Sequence, residues 1–252
     1  MSVGAVKEEM LHIDRSGRSM PVYIAGPERS GQFPAVIIVH EIFGLNDHIR
    51  HVARRFAAES VVAYAPDLFA NYALEPANRD DLNAMRALWQ TIPDSHLISD
   101  LQEVMHLAEL NPAVLSEQIG TMGFCMGGAI AFMFACSTPR IRWVADFYGR
   151  IKYPQLSEEK PKHPIDYIDS LNCAVLGVFA GQDELITAEH IDNFQARLAK
   201  SGQLVSVNVY ENARHAFFND EREFYDKAAA GDAWVTTLKF MSAANRKAKA
   251  YK

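Results

Sequence analysis

The residues best suited to chemistry in this chain are Cys125, Asp183, His215 and Glu41. Cys125 lies in the frame Gly123-Phe124-Cys125-Met126-Gly127. An apolar stretch, Ile119 to Met122, enters that frame, and the small-residue run Ala129-Ile130-Ala131-Phe132-Met133-Phe134-Ala135 leaves it. A nucleophile held at a sharp strand-to-helix turn needs such a frame, because flanking glycines let strand and helix close on each other. The following helix points its N-terminus at the side chain and favours a thiolate there. A small buried core cysteine suits the same five residues. The frame alone leaves both readings open.

A thiol needs a base or a stabilising field before it attacks a carbonyl. His215, just beyond the last expected strand, is the candidate base. Asp183, in Gly181-Gln182-Asp183-Glu184, is the candidate partner to fix the imidazole, with Glu184 as a neighbouring rival. Nucleophile, acid and histidine then follow in the chain order of an elbow hydrolase. Negative charge developing on a substrate oxygen would meet the backbone N–H of Met126. A second donor would come from the loop His40-Glu41-Ile42-Phe43-Gly44, at Ile42.

The elements that must position these residues alternate strand and helix. Residues 35–39 and 61–65 are apolar runs typical of strands buried on both faces, and 119–122, 143–148, 173–180 and 205–210 read as further strands of the same rhythm. Helices are expected from Asn46 or Asp47 to about 59, then over 79–91 and 95–110 divided by Pro93, after the elbow, over 187–200, and over 222–245 with a possible break at Gly231. Residues 3–13 and 19–25 alternate around a turn at 14–17 and predict an antiparallel hairpin at a sheet edge. The rhythm predicts one α/β domain over 1–252: a doubly wound, mostly parallel sheet, with 150–172 as an excursion. Ligands in such folds bind outside the carboxyl ends of the strands, where all four polar candidates fall.

Bulk composition narrows the function. At 252 residues, 49% hydrophobic and 22% charged, the chain can bury a sizeable core. A net charge of −6 and a short basic tail argue against a nucleic-acid surface. No apolar run approaches the roughly 18 residues of a membrane span, and no apolar signal core stands at the N-terminus. Three cysteines form no even framework, which fits a reduced cytoplasm. His48 and His51 have helical ligand spacing but no acidic cluster, so an exposed helical face is expected rather than a metal site. Phe69, Tyr72 and Trp89 suit either a pocket wall or the core. Gly120-x-x-Gly123 lacks both phosphate-loop and dinucleotide spacing.

Six blocks together resemble the dienelactone hydrolase family of α/β-hydrolases: His40-Glu41-Ile42-Phe43-Gly44-Leu45-Asn46, Ala65-Pro66-Asp67-Leu68-Phe69, Gly123-Phe124-Cys125-Met126-Gly127-Gly128, Phe147-Tyr148-Gly149, Gly181-Gln182-Asp183 and His215-Ala216-Phe217. They occur in order and span roughly residues 10–245. The resemblance implies the α/β-hydrolase fold and a triad of Cys125, Asp183 and His215. It implies a Glu41 carboxylate that helps release the thiolate when substrate enters, and Ile42 and Met126 as oxyanion donors. The implied reaction is hydrolysis of an ester or enol-lactone through a thioester acyl-enzyme, on a small molecule, without a cofactor, by a monomer or homodimer. Other acyl electrophiles, or a thiol sensor on the same scaffold, are the alternatives. Trp89, Tyr148, Phe217, Arg79 and Arg86 are candidates for substrate contact. One departure stands out. Family arginines that bind a substrate carboxylate would fall at Asn219 and near Leu82, with Arg79 and Arg86 only approximate substitutes. Asparagine cannot reproduce bidentate recognition, so the reaction class is implied more firmly than dienelactone itself.

Overall fold

The computed structural model describes residues 5–15, 18–70, 72 and 81–249. Strands β1 (Val6–Arg15) and β2 (Arg18–Pro27) form the expected antiparallel hairpin, paired from Val6 with Pro27 to Arg15 with Arg18. Next come β3 (Phe33–Val39), α1 (Asp47–Ala58), β4 (Val62–Pro66), α2 (Leu82–Thr91), α3 (Asp94–Leu110), β5 (Val114–Phe124) and α4 (Met126–Ser137). The chain ends with β6 (Trp143–Phe147), a 3-10 turn (Pro164–Ser170), β7 (Ala174–Ala180), α5 (Ala188–Leu198), β8 (Val205–Tyr210) and α6 (Lys227–Lys249). The eight strands lie in the order β1-β2-β4-β3-β5-β6-β7-β8. The β1–β2 and β2–β4 pairs are antiparallel, and every pair from β4 to β8 is parallel.

The strands β4, β6 and β7 are buried at every position because both faces are covered, and Asp146 is the one charged residue among them. From β3 the chain moves outward to β4, then returns to pair β5 on the other side of β3. That reversal makes the β3/β5 boundary a switch point, where a crevice opens at the carboxyl ends. Glu41 follows β3 and Cys125 follows β5.

Local chemistry sets the helix limits. Asn46 caps α1, its side chain accepting from the Ile49 N–H at 3.1 Å. The expected helix over 79–91 begins at Leu82 because Asp81 caps it, accepting from the N–H groups of Asn83 and Ala84; positions 79 and 80 lie outside the described residues. The C-terminal helix begins five residues later than expected, at Lys227. The Asp226 carboxylate accepts from the Ala228 and Ala229 N–H groups at 2.9 and 3.0 Å and starts the helix there. Gly231 does not break α6; a Cβ there would meet open space.

Helix α4 is buried from Met126 to Cys136, which accounts for an apolar run without a polar face. The 150–172 excursion packs onto it through the 3-10 turn. The excursion is also pinned to the α2–α3 junction. Lys160 Nζ donates to Asp94 Oδ1 at 2.6 Å and to the Ile92 carbonyl at 2.7 Å, and Tyr153 donates to Asp94 Oδ2 at 3.0 Å. Burial pushes the Asp94 carboxyl up and the Lys160 ammonium down, while their mutual attraction opposes both shifts. Among the described residues no helix is long and apolar enough to cross a membrane.

Candidate active site

Cys125 occupies the corner between β5 and α4 with φ 54° and ψ −119°, a left-handed backbone that costs a non-glycine residue energy. Its N–H donates to the Phe147 carbonyl at 2.9 Å, tying the corner to β6. The flanking glycines are required by close approach. A Cβ on Gly123 would sit 2.0 Å from the Gly127 carbonyl oxygen, and one on Gly127 would sit 2.3 Å from that of His40. The elbow is thus packed directly against the end of β3. Cys125 is half-buried, whereas Cys136 and Cys173 are buried, and burial pushes both of those thiols up, Cys173 to about 12. Cys125 is the cysteine open to reaction.

His215 lies beyond β8, and its Nδ1–H donates to Asp183 Oδ2 at 2.6 Å. The other oxygen of Asp183 accepts from the Leu185 N–H at 2.8 Å, which fixes the carboxylate. Of the two acidic neighbours, Asp183 is buried on the imidazole and Glu184 is exposed. His215 Nε2 is buried with no well-directed hydrogen-bond partner. Cys125 is nevertheless near enough to act on the ring. Burial pulls the imidazole down, but the Cys125 charge and the bonding and charge of Asp183 outweigh it, raising the pKa from 6.5 to about 10.

Glu41 is 3% exposed, and both its oxygens are engaged. Tyr148 donates to Oε1 at 3.3 Å and the Asn219 amide donates to Oε2 at 2.7 Å. The Tyr148 ring lies 5.2 Å from that of His215, so one tyrosine touches both the imidazole and the buried carboxylate. Tyr148 and Ala216 also have positive φ, 42° and 66°. With Cys125, three of the four non-glycine residues of that kind among those described cluster here. Met126 is the first residue of α4, so its N–H is one of the helix's unpaired donors. Ile42 is buried at the end of the β3 loop.

Other expected residues fall elsewhere. Phe217 is fully buried behind Tyr148, its ring 5.6 Å from that tyrosine and 5.1 Å from Tyr210, so it supports the wall rather than lining it. Phe69 is core, packed on His40. Trp89 is half-buried against Tyr153, Arg86 is exposed on α2, and Arg79 lies outside the described residues. His48 does not occupy an exposed face. It is 2% exposed, with Nδ1 2.9 Å from Asp220 and its ring edge-on to the stacked Phe124 and Phe218, because α1 turns this first-turn position inward; His51 is the exposed one. Among the described residues no group of three or more His, Cys, Asp or Glu side chains is placed to hold a metal.

Two site residues escaped the sequence reading. His40 is fully buried. Its Nε2 accepts from the Leu68 N–H at 3.0 Å, so Nδ1 carries the proton and donates to the Glu41 carbonyl at 2.6 Å, locking the backbone before Ile42. Arg150, two residues beyond Tyr148, is half-buried, and burial lowers its pKa against the raising influence of Cys125 and Asp183. Its position after a strand's carboxyl end was the signal available.

A sheet whose reversal brings an elbow, a histidine and an acid to one edge defines the α/β-hydrolase fold. Within that class the chain belongs to the dienelactone hydrolase family, whose model matches residues 20–245. It is 34% identical over 241 residues to a "putative carboxymethylenebutenolidase" of Salmonella typhi, covering 95% of this chain and 88% of that protein. A protein of the same description from Escherichia coli K12 is 34% identical over 94% of this chain and 87% of its own length. The crystal structure of a "putative dienelactone hydrolase" from Klebsiella pneumoniae superposes with a TM-score of 0.89 at 31% identity, covering 95% of this chain and 99% of that one.

Proposed function

We propose that this protein hydrolyses carboxylic esters or lactones through a thioester formed on Cys125. The observation that carries the reading is the strained Cys125 elbow beside an imidazole whose far nitrogen is held 2.6 Å from Asp183. His215 Nε2 takes the proton of Sγ as sulfur attacks the substrate carbonyl, and Asp183 stabilises the imidazolium. The N–H groups of Met126 and Ile42 receive the oxyanion, each contributing on the order of 3 kcal/mol. The tetrahedral adduct collapses, the C–O bond to the alcohol breaks, and His215 returns its proton to the leaving oxygen. A water then gives a proton to His215, attacks the thioester and frees the acid and the thiol.

Glu41 acts in this reading as a trigger: its carboxylate turns toward the thiol when substrate arrives and helps release the thiolate, the thiol proton passing to His215. Both its oxygens accept hydrogen bonds at rest, so it must surrender one, and the 3.3 Å bond from Tyr148 is the weaker. A thiol ionised only with substrate bound is protected from oxidation.

Aryl esters and unsaturated lactones assayed with wild type, C125A and H215A test the proposal. Turnover by wild type and its loss in both variants is expected; full activity in C125A would remove the nucleophile. For Glu41, the alkylation rate of Cys125 should rise with a bound substrate analogue in wild type and not in E41Q. Equal rates throughout would sink the trigger.

A further inference from the structure

Ile42 stands on a tight turn. The Gly44 N–H donates to the Glu41 carbonyl at 3.1 Å, and Ile42 and Phe43 are the corner residues. Such a turn uses the carbonyl of its first residue and the N–H of its fourth, so the Ile42 N–H lies outside the turn's own bond. Its aim then depends on how the whole turn is tilted. On the β3 side, His40 fixes the turn through the Glu41 carbonyl at 2.6 Å. The opposing hold comes from residues 219–222, just beyond His215. The Asn219 amide donates to Glu41 Oε2 at 2.7 Å, and the Arg222 guanidinium carbon lies 3.8 Å from the centre of the Phe43 ring. Arg222 is itself firmly mounted. Its N–H donates to the Asn219 carbonyl and its carbonyl accepts from the Tyr225 N–H, both at 3.1 Å. Its side chain is half-buried, with Nε buried and without a hydrogen-bond partner. Asp220, two residues before it, is turned onto His48 at 2.9 Å. Withdrawing a guanidinium donor from water is unfavourable; what offsets it here is the ring face, on which a planar guanidinium stacks and a lysine ammonium does not. The stack ties the turn that bears Ile42 to the segment that bears His215.

We infer that Arg222 is a positioning residue for the oxyanion hole: stacked on Phe43, it holds the Ile42 N–H in line with the substrate oxygen. This rests on the hydrolase reading, and two uncharged probes of Cys125 test the two separately. An aryl trifluoromethyl ketone takes the sulfur at its carbonyl carbon. The carbonyl electron pair moves onto oxygen and the thiol proton passes to His215, so the adduct draws on the oxyanion donors. Iodoacetamide alkylates the same sulfur by losing iodide and forms no oxyanion. In R222Q the ketone should bind about tenfold more weakly while alkylation keeps the wild-type rate, which also reports an intact elbow. R222K keeps the charge without the planar face and should recover little. F43L should match R222Q, F43Y should recover most of the loss, and R222Q combined with F43L should cost no more than either alone. With p-nitrophenyl hexanoate the loss should appear in kcat rather than KM, because the oxyanion forms only after binding. Unchanged ketone affinity in R222Q, or an equal fall in alkylation, would overturn the positioning role and leave the hydrolase reading standing. A wild type that alkylates but binds no ketone would overturn the hydrolase reading and this inference with it.

Discussion

His215 depends on two partners that do different work. Asp183 sets the ring's orientation through the 2.6 Å bond, and the Cys125 charge supplies much of the upward pull on its pKa. D183N should retain the fold but lower kcat on the order of 10³- to 10⁴-fold, because an amide stabilises the wrong tautomer; steady-state ester hydrolysis measures it. In C125A the imidazole should titrate well below about 10, which NMR of the histidine ring protons reads directly. An unchanged titration would mean that the sulfur does not act on the ring. Asn219 has another task. It is fully buried and spends its amide on Glu41, so N219L should cost about 1–3 kcal/mol by stranding a carboxylate oxygen. Chemical denaturation of N219L and wild type compares the two.

At the scale of elements, the elbow is a joint with no room to spare. G127A should lose activity and at least about 1–3 kcal/mol of stability, since the new methyl group would press on the His40 and Val39 carbonyls rather than on a flexible side chain. Thermal unfolding combined with ester assays reads both losses. The α2–α3 junction is held differently. Lys160 and Asp94 are 5% and 1% exposed, so K160M alone should cost about 3–5 kcal/mol by leaving a buried carboxylate unpaired. K160M combined with D94L should recover most of that loss, which a double-mutant cycle of unfolding free energies tests. Because this pair pins the excursion that carries Tyr153, whose hydroxyl donates to Asp94, the single variant should also loosen that excursion.

At the scale of the whole molecule, two groups near the elbow, buried Asp146 and partly buried His215, tie stability to pH in the same direction. Asp146, under the elbow, is raised by burial from 3.8 to about 7, and His215 is raised from 6.5 to about 10. Each binds its proton more tightly in the folded chain. The stability Asp146 contributes is full below 3.8 and lost as pH rises through about 7; that of His215 is full below 6.5 and lost through about 10. D146N keeps an acceptor for the Gly149 N–H, which Asp146 Oδ1 binds at 2.9 Å, and should gain on wild type as pH rises between those limits. Urea unfolding across pH checks the slope; parallel curves for D146N and wild type would refute it.

Much of this protein is legible in its sequence because burial has a local signature. Strands covered on both faces read as unbroken apolar runs, Asn46 and Thr187 mark helix starts, and the Gly123 and Gly127 frame announces a corner that tolerates no side chain. The candidates at the carboxyl ends follow from those elements in order. Partner identity has no such signature, since it depends on groups far apart in the chain. Asp183 rather than Glu184 meets His215, Asn219 reaches across to Glu41, and His48 turns inward onto Phe124 and Phe218. The late start of α6 turned on one carboxylate, Asp226. Composition and spacing could determine which residues lie at the reactive edge of the sheet; only the packing of β3, β5, β6 and the loop beyond β8 decided which of them touch.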